Sequence, residues 1–549
     1  MQNLQEALRT EHIDRRTFTK VAAAAAGAMG LAGTVGVASA APAPGGKVLL
    51  PRNQADINTF IVGSGQDISN LDPHTGHDYS IAWAQKACYD SLLRYSGVPT
   101  EPVLHLATEF AGNTDATEFS ITLTDAAKFH DGSAVTAEAV QYNFNRMLRK
   151  NLGVAYMFSA FMDENSVSVV DPTHLKIALN KPFAPFEAVV PWLFIANPAV
   201  IEANAGDDEG ETYLLDHEAG SGPYTIGKWE LGSGYEFNKW ADYWWQPEGV
   251  TMVDTLVWSV IREASSRRIA MEAGEAHYVD FLTAEDYEGL KDGGFAVNTE
   301  AGIGPFAIKL NNSTGPTADV NVRAAILQSF DYEAALQVVS GYGEIMQGPL
   351  ATNMKPWHDD SLVTLKYDIE GAKASLAKSA YPDGFELEYV YVADFTLEEQ
   401  WGLILLQGCS EIGIDVKMTP LVWPDMVARA ADAATSPGAI AIYAGTDYLD
   451  PDNFLYASYH SSQAGTWSAA SQYNNPDVDA LLDEGRSTVD QERRIEIYNE
   501  VQQKLVADSV EIWVYVEIPL VALANGLEGN VLIQTMGGDA REFGWAPAS

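Results

Sequence analysis

The sequence predicts an α/β protein built from two or three lobes, and three observations carry that expectation. The chain has 549 residues, too many for one simple hydrophobic core. Hydrophobic residues make up 47% of it and aromatic residues 10%, a globular composition that excludes long disordered tracts. Strand-like and helix-like hydrophobic periods alternate along its length. No internal repeat and no Ser/Gly linker separates them, so the lobes are expected to exchange chain segments more than once.

The first forty residues read as an export leader. Arg15-Arg16-Thr17-Phe18-Thr19-Lys20 is a twin-arginine pattern, an uncharged Ala/Gly-rich stretch follows over 21–38, and Ala38-Ser39-Ala40 is a small-residue cleavage site. The stretch is too weakly apolar for a stable membrane span. No cysteine follows it, so no lipid anchor is expected and the mature chain is placed free in a periplasm.

Further along, Phe119-Ser120-Ile121-Thr122-Leu123 alternates as a half-buried strand does. Thr136 is placed to cap a helix with Glu138 in its first turn and Val140, Phe144 and Met147 on one face. Hydrophobic strands are expected over 253–260, 386–392 and 511–516. Asp319 is a second helix cap, ahead of Val322, Ile326 and Phe330. Ile495, Tyr498, Val501 and Leu505 mark a late helix. Turn clusters at 219–223 and 311–313 are the candidate boundaries.

The net charge of -42 repels nucleic acid and anionic lipid, which excludes both as partners. It leaves two readings open, a solubility adaptation to salt and the steering of cationic ligands. Cys88 and Cys409 sit in apolar segments and read as buried thiols rather than a disulfide. No G-x-S-x-G elbow, H-E-x-x-H or P-loop occurs, so no enzyme activity and no cofactor are expected. His74 and His77, flanked by Asp72 and Asp78, read as loop hydrogen bonding rather than a metal site. Trp401, Trp423, Tyr443, Tyr448 and Trp467 lie near turns and acidic residues in the C-terminal half, where aromatic side chains are candidates for lining a ligand cleft.

A set of short segments then makes the chain recognisable. In order they are Asn70-Leu71-Asp72-Pro73-His74, Tyr89-Asp90-Ser91-Leu92-Leu93, Lys128-Phe129-His130-Asp131-Gly132, Gly220-Ser221-Gly222-Pro223-Tyr224, Asp242-Tyr243-Trp244, Ala273-Gly274-Glu275, Asp447-Tyr448-Leu449-Asp450-Pro451 and Tyr473-Asn474-Asn475-Pro476. Together, over roughly residues 60 to 520, they resemble the dipeptide, oligopeptide and nickel solute-binding family of ABC importers.

The resemblance implies a periplasmic-binding-protein-like fold of two α/β lobes joined by a hinge, with an additional domain inserted in the first lobe. It places the first lobe at 47–92, 221–308 and 512–549, the inserted domain at 93–220 and the second lobe at 309–511. It implies a monomer that closes on a small organic ligand, a di- or oligopeptide first, and delivers it to an ABC permease and its ATPase. By the same match Asp447 would pair with the ammonium group of a peptide, with Tyr448 beside it. Trp423 and Trp467 would supply a stacking wall, because Ala444 stands where many relatives carry a tryptophan. The loop holding His77, Asp78 and Tyr79 falls where relatives place first-lobe contacts. Around Asp394 this chain lacks the arginine that dipeptide-specific relatives use for a carboxylate. Longer peptides, cationic amines, oligosaccharides, opine-like compounds and a nickel complex therefore stay open, and a secreted hydrolase is the reading from another class.

Overall fold

Two sheets organise the chain, and the polypeptide passes between them twice. The computed structural model describes residues 58–97, 100–298, 302–363, 365–393, 395–443, 445, 447–529, 532 and 535–545. The twin-arginine segment, Asp394 and Ala444 lie outside them.

The first sheet has seven strands, in the order Tyr224–Glu230, Gly234–Lys239, Thr255–Val260, Thr59–Ser64, Tyr278–Asp280, Val521–Leu523, Ala296–Val297. Thr59–Ser64 runs parallel to Thr255–Val260 and Tyr278–Asp280, so these three strands end on the same side. The second sheet has six strands, in the order Gly343–Ile345, Glu511–Glu517, Pro305–Leu310, Ala439–Tyr443, Glu386–Val392, Asp415–Leu421. The last three of these are mutually parallel. Central strands here are apolar throughout, as strands covered on both faces are: Ile512, Trp513, Val514 and Tyr515 are all buried. A four-stranded antiparallel sheet, Ala107–Gly112, Glu118–Leu123, His174–Ala178 and Val167–Asp171 in the order 5′ edge first, lies in the segment between the strands of the first lobe.

The expected lobe boundaries after 308 and before 512 fall inside strands. Pro305–Leu310 and Glu511–Glu517 pair with each other within the six-stranded sheet, so the crossings are the segments 298–304 and 518–520. They lie side by side: Asn298 donates its backbone N–H to Val521 O at 3.0 Å, and Gly302 donates to Glu517 O at 2.9 Å. The turn cluster at Asn311 marks the far end of a strand, which composition cannot tell from a hinge.

Local signals place the helices. Thr136 caps Ala137–Lys150, accepting from Ala139 N–H, and Val140, Phe144 and Met147 are buried. Asp319 caps Val320–Ser329 and accepts from Asn321 N–H at 2.8 Å. The late helix is Gln491–Ala507, and its buried face is Arg494, Ile497, Tyr498, Val501 and Leu505. That face includes a charged residue because Arg494 reaches the Asp450 carboxylate at 2.7 Å. Both thiols are free and buried, and burial pushes Cys409 up to about 12 and Cys88 upward as well.

Most of the recognisable segments meet in one buried polar cluster. Asp90 Oδ1 accepts from Tyr243 at 2.9 Å and Arg541 at 2.9 Å and contacts His105 Nε2 at 2.7 Å. Its Oδ2 accepts from Ser221 and Trp244, each at 3.2 Å. Asp72 pairs with Arg146 through two hydrogen bonds of 2.8 and 2.6 Å, and Arg146 also reaches His74 Nδ1 at 2.7 Å. These motifs hold segments together by satisfying buried charges, which would otherwise be strongly destabilising.

Candidate functional site

The carboxyl ends of parallel strands are where α/β sheets leave room for ligands, and the loop after Ala439–Tyr443 leaves such an end. Its outgoing side is fixed. Asp450 caps Pro451–Tyr459, accepting from Asp452 N–H at 2.9 Å, and pairs with Arg494. Asp452 accepts two hydrogen bonds from Arg486 at 2.8 Å and one from the Tyr448 hydroxyl at 2.6 Å. Tyr448 is buried, with its ring 6.4 Å from that of Phe183. It is therefore a packing and hydrogen-bonding residue, not the open cleft wall the resemblance implied. Its hydroxyl is drawn inward because the buried Asp452 carboxylate needs donors.

Asp447 stands one residue earlier and is partly buried. The Trp192 indole N–H donates to its backbone carbonyl. The Tyr156 hydroxyl faces its carboxylate as a hydrogen-bond donor. Burial raises the Asp447 carboxyl above its usual range, while Tyr156 and the nearby His77 oppose that shift. Burial also lowers His77, against the pull of Asp447 and Asp78. The His77 ring packs 4.7 Å from Trp192 and 5.9 Å from Tyr156. The fold thus brings His77, Tyr156, Trp192 and Asp447 into one group drawn from three parts of the chain.

Two of these four were not singled out in the sequence. Tyr156 sits in the turn Gly153–Met157 and Trp192 ends the turn Val190–Trp192. The signal at the first is Gly153, whose φ is +50° and where a β-carbon would come 3.0 Å from the His74 carbonyl oxygen. Only glycine lets that turn approach the loop carrying His77. Trp192 has no such local mark.

The remaining candidates divide. Asp78 caps the helix Tyr79–Cys88, its Oδ1 accepting from Ile81 N–H at 2.8 Å and from Ser80 at 2.9 Å. That carboxylate is occupied by a helix start. The Tyr79 hydroxyl shares a hydrogen bond with the Tyr278 hydroxyl, and its ring edge meets Phe281 at 5.8 Å. Trp423 and Trp467 pair edge to face at 5.5 Å, with Trp423 44% exposed, at the ends of the same parallel strands. His74 turns away from His77 into the core against Arg146, and its pKa is lowered to about 3 by burial and then by that arginine. Among the described residues no group of three or more His, Cys, Asp or Glu is placed to hold a metal.

The largest cavity, about 490 Å³, lies at the other end of the six-stranded sheet, between Asn311, Glu388, Arg429 and Gly438. Arg429 is already paired with Glu388 at 2.9 and 2.7 Å, and the Asn311 amide is spent on Thr314 and nearby carbonyls. No unpaired charge is aimed into it, so Asp447 and its neighbours are the stronger site.

The comparisons with known proteins agree on the kind of molecule. The model of the family described as Bacterial extracellular solute-binding proteins, family 5 Middle, matches residues 101–466. The chain is 28% identical over 485 residues to the probable D,D-dipeptide-binding periplasmic protein DdpA of Escherichia coli K12, covering 86% of this chain and 91% of that one. It is 26% identical over 471 residues to heme-binding protein A of Haemophilus influenzae, covering 81% and 84%. The structure of HbpA2 from Haemophilus parasuis superposes with a TM-score of 0.79 at 22% identity, covering 89% of this chain and 100% of that one. The DppA of Helicobacter pylori in complex with the peptide STSA superposes with a TM-score of 0.71 at 21% identity, covering 89% and 98%. These likenesses show the two-lobed periplasmic-binding-protein fold.

Proposed function

The chain belongs to the bacterial extracellular solute-binding proteins of family 5, and from that premise we propose that it captures a peptide-like ligand with a free ammonium group between its lobes for an ABC importer. The observation that carries this reading is the Asp447 carboxylate. It is desolvated, it takes one hydrogen bond from Tyr156, and among the described residues no lysine or arginine pairs with it. A partly buried carboxylate without a cation of its own favours a ligand that brings one. His77, whose pKa is lowered, stays neutral near pH 7 and does not fill that place.

The two crossing segments form the hinge. Closure would remove water from Asp447 and strengthen its attraction to an ammonium ion. The relatives named for a D,D-dipeptide and for heme differ in ligand, so membership alone does not fix it. Peptides rank first because the Asp447 arrangement suits an α-ammonium group. Exposed Trp423 and Tyr443 favour the second reading, an oligosaccharide stacked on aromatic faces. Under either reading the protein binds and releases its ligand unchanged, acts as a monomer, and docks on a permease. The twin-arginine leader over 1–40 would carry it folded to the periplasm.

Calorimetric titration of the mature chain with tripeptides tests the proposal. Asp447→Asn is expected to weaken binding at least about tenfold, or about 1.4 kcal/mol. Binding unchanged within about twofold would sink the ammonium pairing, and tight binding of oligosaccharides alone would transfer the assignment to the aromatic residues.

A further inference from the structure

Five aromatic side chains are exposed among the described residues: Tyr156, Phe281, Tyr367, Trp423 and Tyr443. Tyr367 donates its hydroxyl to Glu411 at 2.9 Å. The other four stand around the proposed cleft. Tyr156 is beside Asp447, Trp423 follows Asp415–Leu421 directly, Tyr443 ends Ala439–Tyr443, and Phe281 follows Tyr278–Asp280 directly. Three of them belong to the second lobe or the inserted segment. Phe281 alone comes from the first-lobe sheet.

Phe281 is unusual in two ways at once. It is the one exposed phenylalanine among the described residues, with 55% of its surface open. Its φ is +49°, in the left-handed region that a bulky residue rarely enters. Such a conformation persists only where the surroundings impose it, and here a single buried side chain does so. Arg267 donates from Nε to Asp280 O at 3.0 Å and from Nη2 to Phe281 O at 2.7 Å. Its Nη1 donates to Ile261 O at 2.7 Å and to Arg262 O at 2.8 Å. The guanidinium spends its hydrogen bonds on backbone carbonyls at the ends of two adjoining first-lobe strands. The next strand over adds Ser64, whose hydroxyl donates to Asp280 at 3.0 and 3.2 Å. The main chain of Phe281 is thus clamped while its ring is left in the open, touching only the edge of Tyr79 at 5.8 Å. Tyr79 is itself fixed through its hydroxyl to Tyr278, and it lies two residues from His77 in the Asp447 group. A ring held out at this position serves no core and costs the fold a favourable backbone conformation.

We propose that Phe281, clamped by Arg267 and backed by Tyr79, is a specificity-determining residue that selects ligands carrying an apolar, preferably aromatic, side group next to the cationic head. The inference rests on the cleft reading under Proposed function and adds the chemistry of the second recognition point. An apolar ring meeting another in a closing cleft adds selectivity through buried area and through edge or offset stacking. It makes no demand on the ammonium group that Asp447 would take.

The test uses the mature chain, its Phe281→Ala and Asp447→Asn variants, and four probes: triglycine and the three tripeptides with one phenylalanine among two glycines. Dissociation constants come from calorimetry. The wild-type protein is expected to bind at least one phenylalanine tripeptide about tenfold or more tightly than triglycine. Phe281→Ala is expected to reduce that preference to within about twofold while leaving triglycine binding unchanged. Phe281→Gly, which suits the left-handed backbone, is expected to behave the same way and covers the case in which the alanine variant does not fold. A phenylalanine preference that survives both substitutions overturns the role of Phe281, with the cleft reading intact if Asp447→Asn still weakens all probes. Failure of the wild-type protein to bind any tripeptide overturns the cleft reading, and this inference falls with it.

Discussion

The Trp192 indole N–H donates to the backbone carbonyl of Asp447, across 255 positions of sequence. The bond joins the inserted segment to the second lobe at the residue proposed to meet the ligand. Closure and ligand capture are therefore geometrically linked at one amino acid. Trp192→Phe keeps the ring against His77 but removes the donor. It is expected to weaken ligand binding by about 1 kcal/mol, the usual worth of a neutral hydrogen bond. A calorimetric titration showing unchanged affinity would detach this contact from binding.

Ligand affinity is expected to depend on pH through Asp447. Its pKa is raised by burial, and only the ionised form attracts an ammonium ion. Affinity is therefore full above the raised pKa and falls as pH drops through it, starting above the ordinary aspartate range near about 3.9. His77 is shifted the other way, downward, and gains its competing charge only below its usual range. A profile from about pH 8 down to about pH 4 should fall in wild type and be flat and weak in Asp447→Asn. A wild-type profile that rose toward acid would contradict the pairing.

His74 makes the fold acid-sensitive. Its folded pKa is lowered from 6.5 to about 3 by burial, then by Arg146. The unfolded chain takes up a proton below about 6.5 that the folded chain refuses, so stability is full above that value and is lost as pH falls toward about 3. The shift corresponds to roughly 4 to 5 kcal/mol at the acid end, with about 3 kcal/mol already lost near pH 4. Urea unfolding of His74→Asn, whose side chain can still accept from Arg146, should show a shallower acid loss than wild type. Equal acid slopes would remove His74 from the account.

Asp280 works in the opposite direction. Burial raises its pKa from 3.8 to about 7, opposed by Ser64 and Arg267. A carboxyl with a raised folded pKa contributes stability below its unfolded value, and that contribution is lost as pH rises through about 7. Asp280→Asn retains an acceptor for Ser64 and removes the titration. The variant should be more stable than wild type near pH 8 by up to about 4 kcal/mol, with the gap closing toward pH 4. A variant that is less stable at pH 8 would show that the ionised form is wanted.

Close backbone approach makes Gly220 irreplaceable. A β-carbon there would lie 1.7 Å from the Cys88 carbonyl oxygen, and one at Gly222 would lie 2.5 Å from Cys88 C. Both contacts are backbone against backbone, so no side chain can yield. Gly220→Ala is expected to abolish cooperative thermal unfolding or to lower the midpoint steeply. Gly445→Ala, where a β-carbon meets nothing within 4 Å, is the matched control and should melt as wild type does.

Local chemistry made much of this protein legible. Thr136 and Asp319 cap the helices they were expected to cap, because a cap is decided by a hydrogen bond two or three residues away. Cys88 and Cys409 are buried thiols, as their apolar neighbours imply. Asp78 could have been read the same way, since an aspartate ahead of Tyr79-Ser80-Ile81 has the form of a helix start. The order of short motifs along the chain identified the family, and those motifs turn out to hold the lobes together around Asp90 and Asp72.

The sequence by itself therefore determined the α/β alternation, the helix starts, the buried thiols and the family. Only the tertiary structure decided which side chains share a site. It turned Tyr448 inward to Asp452, brought Tyr156 and Trp192 to Asp447, placed the crossings at 298–304 and 518–520, and left Phe281 in the open on the Arg267 clamp. The physical reason is range. Periodicity and capping are fixed by neighbours a few residues away, whereas an aromatic residue joins a core or a cleft according to surfaces supplied by distant parts of the chain.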